Sequence, residues 1–256
     1  MAHAGRDVIG RYPAAAMRLI AQWCRTVNRR HNVVARHFRR RWARERGMQA
    51  PPFDLVAHEG LLDYRDYHRY ATIAMALARV EAEGIAGALA EAGVYQGWAS
   101  RFIHRLAPAR RYYLFDTFAG FHPDDLESGV GEDGRFRDTS LETVLRNIGD
   151  TSNIEPRPGR VPDTFAGLEG ERFAFVLLDM DLHRPTLSAL TFFYPRLSPG
   201  AYLMVHDYHN PESDWGCKRA VDEFMADKPE GVVELADMWG SVVLRRARLA
   251  PDKDRT

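Results

Sequence analysis

The stretch "FAFVLLDMDLHRPTLSAL", residues 173–190, indicates the fold class because it joins a short apolar run to a helical pattern. Six apolar residues stop abruptly at Asp179 and Asp181, and the helical pattern follows over residues 185–196. A continuous apolar run of this length is typical of a strand that is buried on both faces of a parallel sheet. The acidic residues at its carboxyl end predict a ligand site at that edge of the sheet.

The same alternation of strand and helix repeats on both sides of this stretch. The predicted strands are residues 86–93, 111–116, 153–159, 172–179 and 200–207, and the predicted helices between them are residues 97–107, 138–148, 185–196 and 214–226. A further helix is expected over residues 65–85, and "GVVELADMWGSVVLRR" predicts a terminal hairpin around "DMWG". The alternation predicts an α/β fold with a mostly parallel sheet.

Length and composition narrow the class of protein further. A chain of 256 residues can form one main domain with a full hydrophobic core, and no apolar run approaches the roughly 18 residues that a membrane span needs. The first residues do not show the compact apolar segment and small-residue cleavage site that predict a secretory signal, and the two cysteines are too few for a disulfide framework or a zinc site. We therefore expect a cytoplasmic protein that does not span a membrane.

The N-terminal segment is strongly basic although the whole chain has no net charge. Residues 1–50 hold twelve arginines against two acidic residues, and residues 13–46 also carry an apolar and aromatic stripe at helical spacing. Such a helix can bind nucleic acid, an anionic membrane or an acidic protein surface. The apolar stripe favours packing, so we expect residues 1–60 to be a helical extension that forms homo-oligomers or acts as a lid over the ligand site, with no nucleic-acid or membrane partner.

The segment "EAGVYQGWAS", residues 91–100, predicts a tight turn after the first strand of the alternating region. Gly93 and Gly97 do not have the three-glycine spacing of a dinucleotide site, and no Lys-Ser or Lys-Thr pair completes a phosphate loop. An acid followed by a glycine turn suits a ligand with an amine or hydroxyls. Asp116 ends the next strand, at about the offset where an acidic residue holds a ribose diol, although a strand-terminal acid can also simply cap the following segment.

Four motifs in order resemble those of the macrocin O-methyltransferase family, S-adenosylmethionine-dependent enzymes that methylate sugar hydroxyls of antibiotics and related natural products. They are "EAGVYQGWAS", "YYLFDTFAGFHPDD", "LLDMDLHRPTLSALTFFYPRLSPGAYLMVHDY" and "GCKRAVDEF", and the resemblance covers about residues 60–245. It implies a Rossmann-like class I methyltransferase domain over residues 61–250, with a seven-stranded, mostly parallel sheet and helices on both faces.

The resemblance also implies which residues bind S-adenosylmethionine. Glu91 and Gly93 would contact its methionine part, Asp116 its ribose, and the segment from Gly159 to Val161 its adenine. The remaining expected cofactor contacts are Val94, Tyr95, Phe118 and Asp179.

Methylation of a sugar hydroxyl needs a base or a metal, because an alcohol is a weak nucleophile that must lose its proton. The resemblance makes Asp181 the candidate general base and Asp179 a metal ligand. The family's Asp-Asp pair at the next strand end reads His206-Asp207 here. Carboxylates suit Mg²⁺, whereas an imidazole shifts the preference toward Mn²⁺, Fe²⁺ or Zn²⁺. We expect a divalent ion, Mg²⁺ or Mn²⁺, on Asp179, His206 and Asp207; the alternative for His206 is a hydrogen-bonded core histidine.

Several neighbouring side chains remain open between function and structure. His122 is a candidate base or lid residue, or a surface-loop histidine. His183 and Arg184 can face the substrate or begin a solvated helix, and the aromatic rings of Tyr208, His209 and Trp215 can stack on a sugar or pack.

These patterns together predict an S-adenosylmethionine-dependent O-methyltransferase acting on a sugar or glycosylated small molecule, whose identity the loops do not encode. Two other classes stay open. A metal-dependent oxygenase or hydroxylase-like enzyme would hold redox iron at His206, and a non-catalytic protein on the same fold would bind the cofactor weakly or not at all.

Overall fold

The computed structural model describes residues 66–126 and 133–248, together with Trp23. Its helices are α1 (Tyr67–Ala82), α2 (Trp98–Leu106), α3 (Leu141–Ile148), α4 (His183–Phe193) and α5 (Gly216–Met225). Its strands are β1 (Ala88–Ala92), β2 (Tyr112–Asp116), β3 (Ile154–Pro158), β4 (Phe173–Leu178), β5 (Leu197–Val205), β6 (Val233–Leu235) and β7 (Ser241–Arg245). Within this part of the chain, no helix has the length and apolar character to cross a membrane.

The seven strands form one mixed sheet in the order β3-β2-β1-β4-β5-β7-β6. The first five strands are parallel, and the predicted terminal hairpin adds β7 and β6 antiparallel to β5. The predicted fold class is confirmed. Element boundaries shift by a few residues: α3, for example, begins at Leu141 and not at residue 138, because the Ser140 hydroxyl accepts a hydrogen bond from the Thr143 N–H at 3.2 Å and caps the helix there.

The position of each strand in the sheet follows from its side chains. Every residue of β1 and β4 is buried, as expected for central strands covered on both faces. β3 contains Pro156 and Pro158, which lack an N–H for the sheet, and it occupies one edge. β6 has only three residues and occupies the other edge.

The chain reverses its direction across the sheet between β1 and β4. The steps β1 to β2 and β2 to β3 move toward one edge, whereas β4 to β5 moves toward the other. Because right-handed crossovers in opposite directions lie on opposite faces, α2 and α3 cover one face and α4 the other. The contacts agree, since α2 packs on α3 and α4 packs on α5. Such a reversal opens a crevice at the carboxyl ends of the strands.

The predicted N-terminal extension, its helix over residues 13–46 and the domain boundary after residue 60 lie outside the described residues. Trp23 alone is described there: it is helical, and its side chain is exposed.

Candidate active site

Four neighbouring strands end in register and deliver one functional residue each. Ala92 of β1 pairs with Phe115 of β2 and with Leu178 of β4, and Leu178 pairs with Val205 of β5. The next residues along these strands therefore stand in a row at one edge of the sheet. They are Asp116, Gly93, Asp179 and His206, all of which the sequence places in the site.

The turn after β1 is fixed by the carboxylate of Asp116. Its Oδ2 accepts hydrogen bonds from the N–H groups of Val94 and Tyr95 at 2.6 and 3.0 Å, and its Oδ1 accepts one from Phe118 at 2.7 Å. Asp116 thus has the structural role that the sequence left open. A carboxylate has about four lone-pair sites, so one acceptor site remains for a ligand hydroxyl.

Glu91 is buried beside the glycine turn. Its Oε2 accepts hydrogen bonds from the hydroxyl groups of Ser100, at 2.7 Å, and Tyr112. Burial raises the pKa of Glu91 to about 8, more than these two hydrogen bonds lower it. The free protein therefore holds a largely protonated carboxyl group at neutral pH, where a cationic ligand would favour its ionised form.

Asp179, His206 and Asp207 form one compact cluster, as predicted. His206 Nδ1 lies 3.0 Å from Asp179 Oδ1 and 3.0 Å from Asp207 Oδ2. One potential ligand atom of each residue lies within 4.8 Å of the other two. Arg69, on α1, donates a hydrogen bond from Nη1 to Asp179 Oδ2 at 2.7 Å. Burial alone would raise the pKa of Asp179, but the positive charges of His206 and Arg69 lower it below its ordinary value.

Asp181 has a different environment from Asp179. Its backbone is left-handed, with φ of 61°, and its Oδ1 accepts a hydrogen bond from the Ser213 hydroxyl at 3.2 Å. Burial, followed by the negative charges of Asp207 and Asp179, raises the pKa of Asp181 to about 7. The two carboxylates are therefore unequal: Asp179 stays ionised, and Asp181 has a raised affinity for a proton.

Arg135 connects the loops above Asp181. It pairs with Asp133 at 2.8 Å and donates a hydrogen bond from Nη2 to Ser213 Oγ at 3.2 Å. Because a guanidinium only donates, the Ser213 oxygen acts as acceptor toward Arg135 and its single proton is available for Asp181. Arg135 also lies over the rings of Phe121 and Phe136, at 5.1 and 5.9 Å from their centroids.

A cavity of about 450 Å³ is lined by the glycine turn, by Glu91 and Asp116, and by the acidic and imidazole side chains that follow β4 and β5. This volume is within the range of small-molecule sites, about 300–1,000 Å³. Of the predicted site residues, Phe118 does not line the cavity. Those that do are Glu91, Gly93, Val94, Tyr95, Asp116, His122, Gly159, Val161, Asp179, Asp181, His206 and Asp207.

The sequence model of the macrocin O-methyltransferase (TylF) family matches residues 13–241. The chain belongs to this family. The resemblance that the four motifs carry is thereby confirmed.

Curated relatives and solved structures agree with membership of the TylF family. A mycinamicin III 3''-O-methyltransferase from Micromonospora griseorubida is 32% identical over 56% of this chain and 61% of its own length. A tetracenomycin-type rhamnosyl 4'-O-methyltransferase from Streptomyces olivaceus is 32% identical over 50% of this chain and 56% of its own. The alignments thus span less than two thirds of either relative.

Two solved structures share the fold of this TylF-family chain. The O-methyltransferase NovP superposes with a TM-score of 0.59 at 29% identity, covering 71% of this chain and 81% of that one. The calicheamicin methyltransferase CalS11 superposes with a TM-score of 0.55 at 23% identity, covering 76% of this chain and 85% of that one. These likenesses confirm the Rossmann-like methyltransferase fold.

The side chains that the sequence left open differ in their surroundings. His122 lines the cavity, but its side chain is 43% exposed and its Nδ1 accepts a hydrogen bond from the Asp124 N–H. Its role as base or lid stays a prediction. Four of the other five have protein partners: His183 pairs with Glu223, Arg184 binds the Asp124 carbonyl, Tyr208 binds Asp222 and Lys218, and His209 pairs with Glu234. Trp215 is exposed.

Sequence reasoning missed three residues of the site: Arg69, Arg135 and Ser213. Arg69 and Asp179 are separated by 110 positions, and Arg135 and Ser213 by 78. No spacing rule links such distant residues. The one available signal for Arg69 was an arginine within the apolar face of a predicted helix, next to the buried Tyr70.

The cluster of Asp179, His206 and Asp207 fits a divalent cation in its donor atoms. Two carboxylates and one imidazole are a suitable set for Mn²⁺ and an acceptable one for Mg²⁺. The hydrogen bond from Arg69 already occupies one oxygen of Asp179. The donor atoms of the cluster therefore fit a divalent cation, and Arg69 competes with such a cation for Asp179.

Proposed function

We propose that the protein is an S-adenosylmethionine-dependent O-methyltransferase that methylates a hydroxyl of a sugar in a glycosylated natural product. Family membership supports the reaction class. The relatives support the acceptor class, because two of them are named for methylation of mycinamicin III and of a rhamnosyl tetracenomycin.

One observation carries the proposal: Asp181 stands in the same cavity as the glycine turn and Asp116, with a raised pKa and one oxygen held in place. Among the described residues, Ser213 is the one that hydrogen-bonds to Asp181, and it uses Oδ1. Oδ2 is thus the oxygen that can accept a proton from an acceptor hydroxyl.

The cofactor is proposed to lie along the row of strand ends. Glu91 and Gly93 would face its methionine part, Asp116 would accept a hydrogen bond from a ribose hydroxyl, and Gly159 and Val161 would flank the adenine. Val94 and Tyr95 line the same wall of the cavity. Gly93 is required because its backbone approaches the Asp179 carbonyl too closely for any side chain.

In the proposed reaction, the acceptor hydroxyl oxygen attacks the methyl carbon attached to the cofactor sulfur. The new O–C bond forms as the C–S bond breaks, and the electron pair of that bond moves to sulfur, which leaves as S-adenosylhomocysteine. The hydroxyl proton goes to Asp181. Holding the two reactants in line supplies a large part of the acceleration.

Asp179, His206 and Asp207 are proposed to hold the divalent cation, Mg²⁺ or Mn²⁺. When bound, such an ion would lower the pKa of a nearby hydroxyl and stabilise developing negative charge on oxygen. Asp181 is not one of these three ligands, so it would remain available to take up the proton.

Calorimetric titration with S-adenosylhomocysteine, with and without Mg²⁺ or Mn²⁺, tests the proposal first. We expect binding and, in a separate assay with S-adenosylmethionine as the methyl donor, methylation of at least one member of a panel of deoxysugar glycosides, seen as the mass of one added CH₂ group. Asp116→Asn is the matched variant, and it should weaken cofactor binding. If the protein binds no S-adenosylhomocysteine, the proposal is wrong and the non-catalytic protein is the interpretation that remains. Bound iron and turnover without the cofactor would instead indicate an oxygenase.

The raised pKa of Glu91 predicts that cofactor affinity depends on pH. If Glu91 binds the cofactor ammonium, its pKa of about 8 in the free protein falls in the complex, so the complex holds fewer protons than the free protein. Binding therefore releases a proton below pH 8, and affinity rises with pH until it levels off near that value. Between pH 7 and pH 8, the affinity for S-adenosylhomocysteine should rise about fivefold.

The measurement is a calorimetric pH series in two buffers of different ionisation enthalpy, which counts the protons released. Glu91→Gln keeps the size of the side chain and should show weaker binding, no proton release and a flat pH profile. A flat profile in the wild-type protein would exclude Glu91 as the partner of the ammonium.

Homo-oligomerisation through residues 1–60, the separation of that extension from a domain over residues 61–250, and a cytoplasmic location remain parts of the proposal. They rest on the basic amphipathic pattern and the cysteine content of the sequence.

A further inference from the structure

Arg69 lies against the candidate cation cluster although it comes from a different part of the chain. It belongs to the first turn of α1, before the first strand, and its Nη1 lies 2.7 Å from Asp179 Oδ2. The side chains of Arg69 and Asp179 are only 15% and 22% exposed, so solvent screens this pair weakly. The contact is a charge-assisted hydrogen bond of ordinary length.

Asp179 is consequently engaged on both oxygens. Oδ2 accepts the hydrogen bond from Arg69, and Oδ1 lies 3.0 Å from His206 Nδ1. Each oxygen has a second lone pair, so a cation that binds through Asp179 either shares an oxygen with one of these donors or replaces the donor. The imidazole of His206 can itself become a ligand of the cation, whereas the Arg69 guanidinium can only repel it, so the contact with Arg69 is the one that we expect a cation to displace.

The guanidinium also places one positive charge where a divalent metal ion would bring two. Arg69 stays protonated throughout the physiological range, and its positive charge stabilises the negative charge of Asp179. A divalent cation placed on the same carboxylate would be repelled by that charge. The ring of Tyr70, whose centroid lies 5.2 Å from the guanidinium carbon, supports Arg69 from one side.

We infer that Arg69 is a resident counter-ion of the cation site, which neutralises Asp179 and sets a low affinity for divalent metal ions. The inference rests on the proposed function only in taking Asp179, His206 and Asp207 as the metal ligands. It adds that metal binding is a competition, in which the ion displaces the Arg69 guanidinium from Asp179. Removing the charge of Arg69 therefore strengthens metal binding, although Arg69 itself lies within the site.

Binding of Mn²⁺ alone, measured by electron paramagnetic resonance of the free ion and by calorimetry, tests this inference without any acceptor. Arg69→Met should bind Mn²⁺ about tenfold more tightly than the wild-type protein, or more, because a full charge is removed next to a ligand. Arg69→Lys keeps the charge and should stay near the wild-type affinity. Arg79→Met is the matched control: it removes one arginine from the same helix, where Arg79 pairs with Glu83 at the surface. It should leave Mn²⁺ affinity unchanged.

A second signature separates the counter-ion role from a purely structural one. Without metal, Arg69→Met should melt at a lower temperature than the wild-type protein, because Asp179 has lost one of its two positively charged partners. Saturating Mn²⁺ should recover most of that loss in Arg69→Met. In the double variant with Asp179→Asn, both the tight binding and the recovery should disappear.

The possible outcomes separate a failure of the counter-ion inference from a failure of the proposed metal site. If wild-type Mn²⁺ binding depends on Asp179 but Arg69→Met binds no more tightly, the counter-ion inference is wrong and the metal site stands. If neither protein binds Mn²⁺, both the inference and the metal part of the proposed function are wrong, whereas S-adenosylhomocysteine binding still reports on the methyltransferase. If Arg69→Met does not fold, a crystal structure of the wild-type protein grown with excess Mn²⁺ provides the test. A metal on Asp179 with the Arg69 hydrogen bond intact would overturn the inference, and a displaced guanidinium would support it.

Discussion

Asp181→Asn should lower kcat by about 10²- to 10⁴-fold, the range that a positioned general base contributes. Asparagine has nearly the same shape as aspartate but cannot take up the hydroxyl proton. It also tolerates the left-handed backbone that Asp181 adopts, with φ of 61°. Its side-chain oxygen can still accept the hydrogen bond from Ser213. We therefore expect the fold and the affinity for S-adenosylhomocysteine to be retained, so that the loss appears in turnover of an acceptor found in the glycoside panel.

Asp214→Asn is the matched control for this substitution. Asp214 has a similar left-handed backbone, with φ of 50°, but its side chain is exposed and it does not line the cavity. The control should leave kcat unchanged. Equal activity of Asp181→Asn and the wild-type enzyme would contradict the assignment of the base. A loss of S-adenosylhomocysteine binding in Asp181→Asn would point instead to a structural role.

The row of strand ends was predictable because it depends on local patterns and on one topological rule. Asp116, Asp179 and His206 each follow an apolar run, and the carboxyl ends of parallel strands meet at one edge of a sheet. Neither step requires knowledge of side-chain packing. The family motifs strengthened the prediction by linking these strand ends to one chemistry.

The environment that distinguishes Asp179 from Asp181 was not predictable in the same way. The two carboxylates differ in their contacts: Arg69 comes to Asp179 from a helix that precedes the sheet, and Ser213 comes to Asp181 from the loop before α5. Both contacts join segments that are distant in sequence, and they form only when helix and loop pack over the strand ends. A single sequence has no periodic signal for such pairs.

Asp116 shows a third situation, in which the position was predicted and the contacts were not. The sequence offered a ribose ligand or a capping carboxylate as alternatives. In the structure, the carboxylate accepts hydrogen bonds from three backbone N–H groups. Those of Val94 and Tyr95 fix the turn after β1, and that of Phe118 fixes the turn after β2. The capping role does not exclude the ligand role, since a site residue that is held by backbone donors is already oriented for a ligand.

Gly93→Ala should nearly abolish cofactor binding and cost about 3 kcal/mol or more of the free energy of unfolding. A Cβ at this position would lie 1.8 Å from the Asp179 carbonyl oxygen and 2.5 Å from its carbon, both backbone atoms. Neither strand can yield easily, because the Gly93 N–H binds the Phe115 carbonyl at 2.9 Å and the Asp179 N–H binds the Ala92 carbonyl at 2.8 Å. The methyl group would separate β1 from β4 at the point where the cavity opens.

The left-handed backbone of Gly93 has its own cost for alanine, and Gly149→Ala measures it. Gly93 and Gly149 have φ of 87° and 86°, but a Cβ on Gly149 would meet no atom within 4 Å. The free energy of unfolding of the control should therefore fall only by the conformational penalty, about 1–2 kcal/mol, and the control should keep S-adenosylhomocysteine binding. Chemical denaturation and calorimetry of both variants give the comparison. Equal destabilisation of the two variants would mean that the turn at Gly93 does not press against the end of β4. A larger destabilisation of Gly93→Ala than of Gly149→Ala would measure how tightly this turn is packed against Asp179.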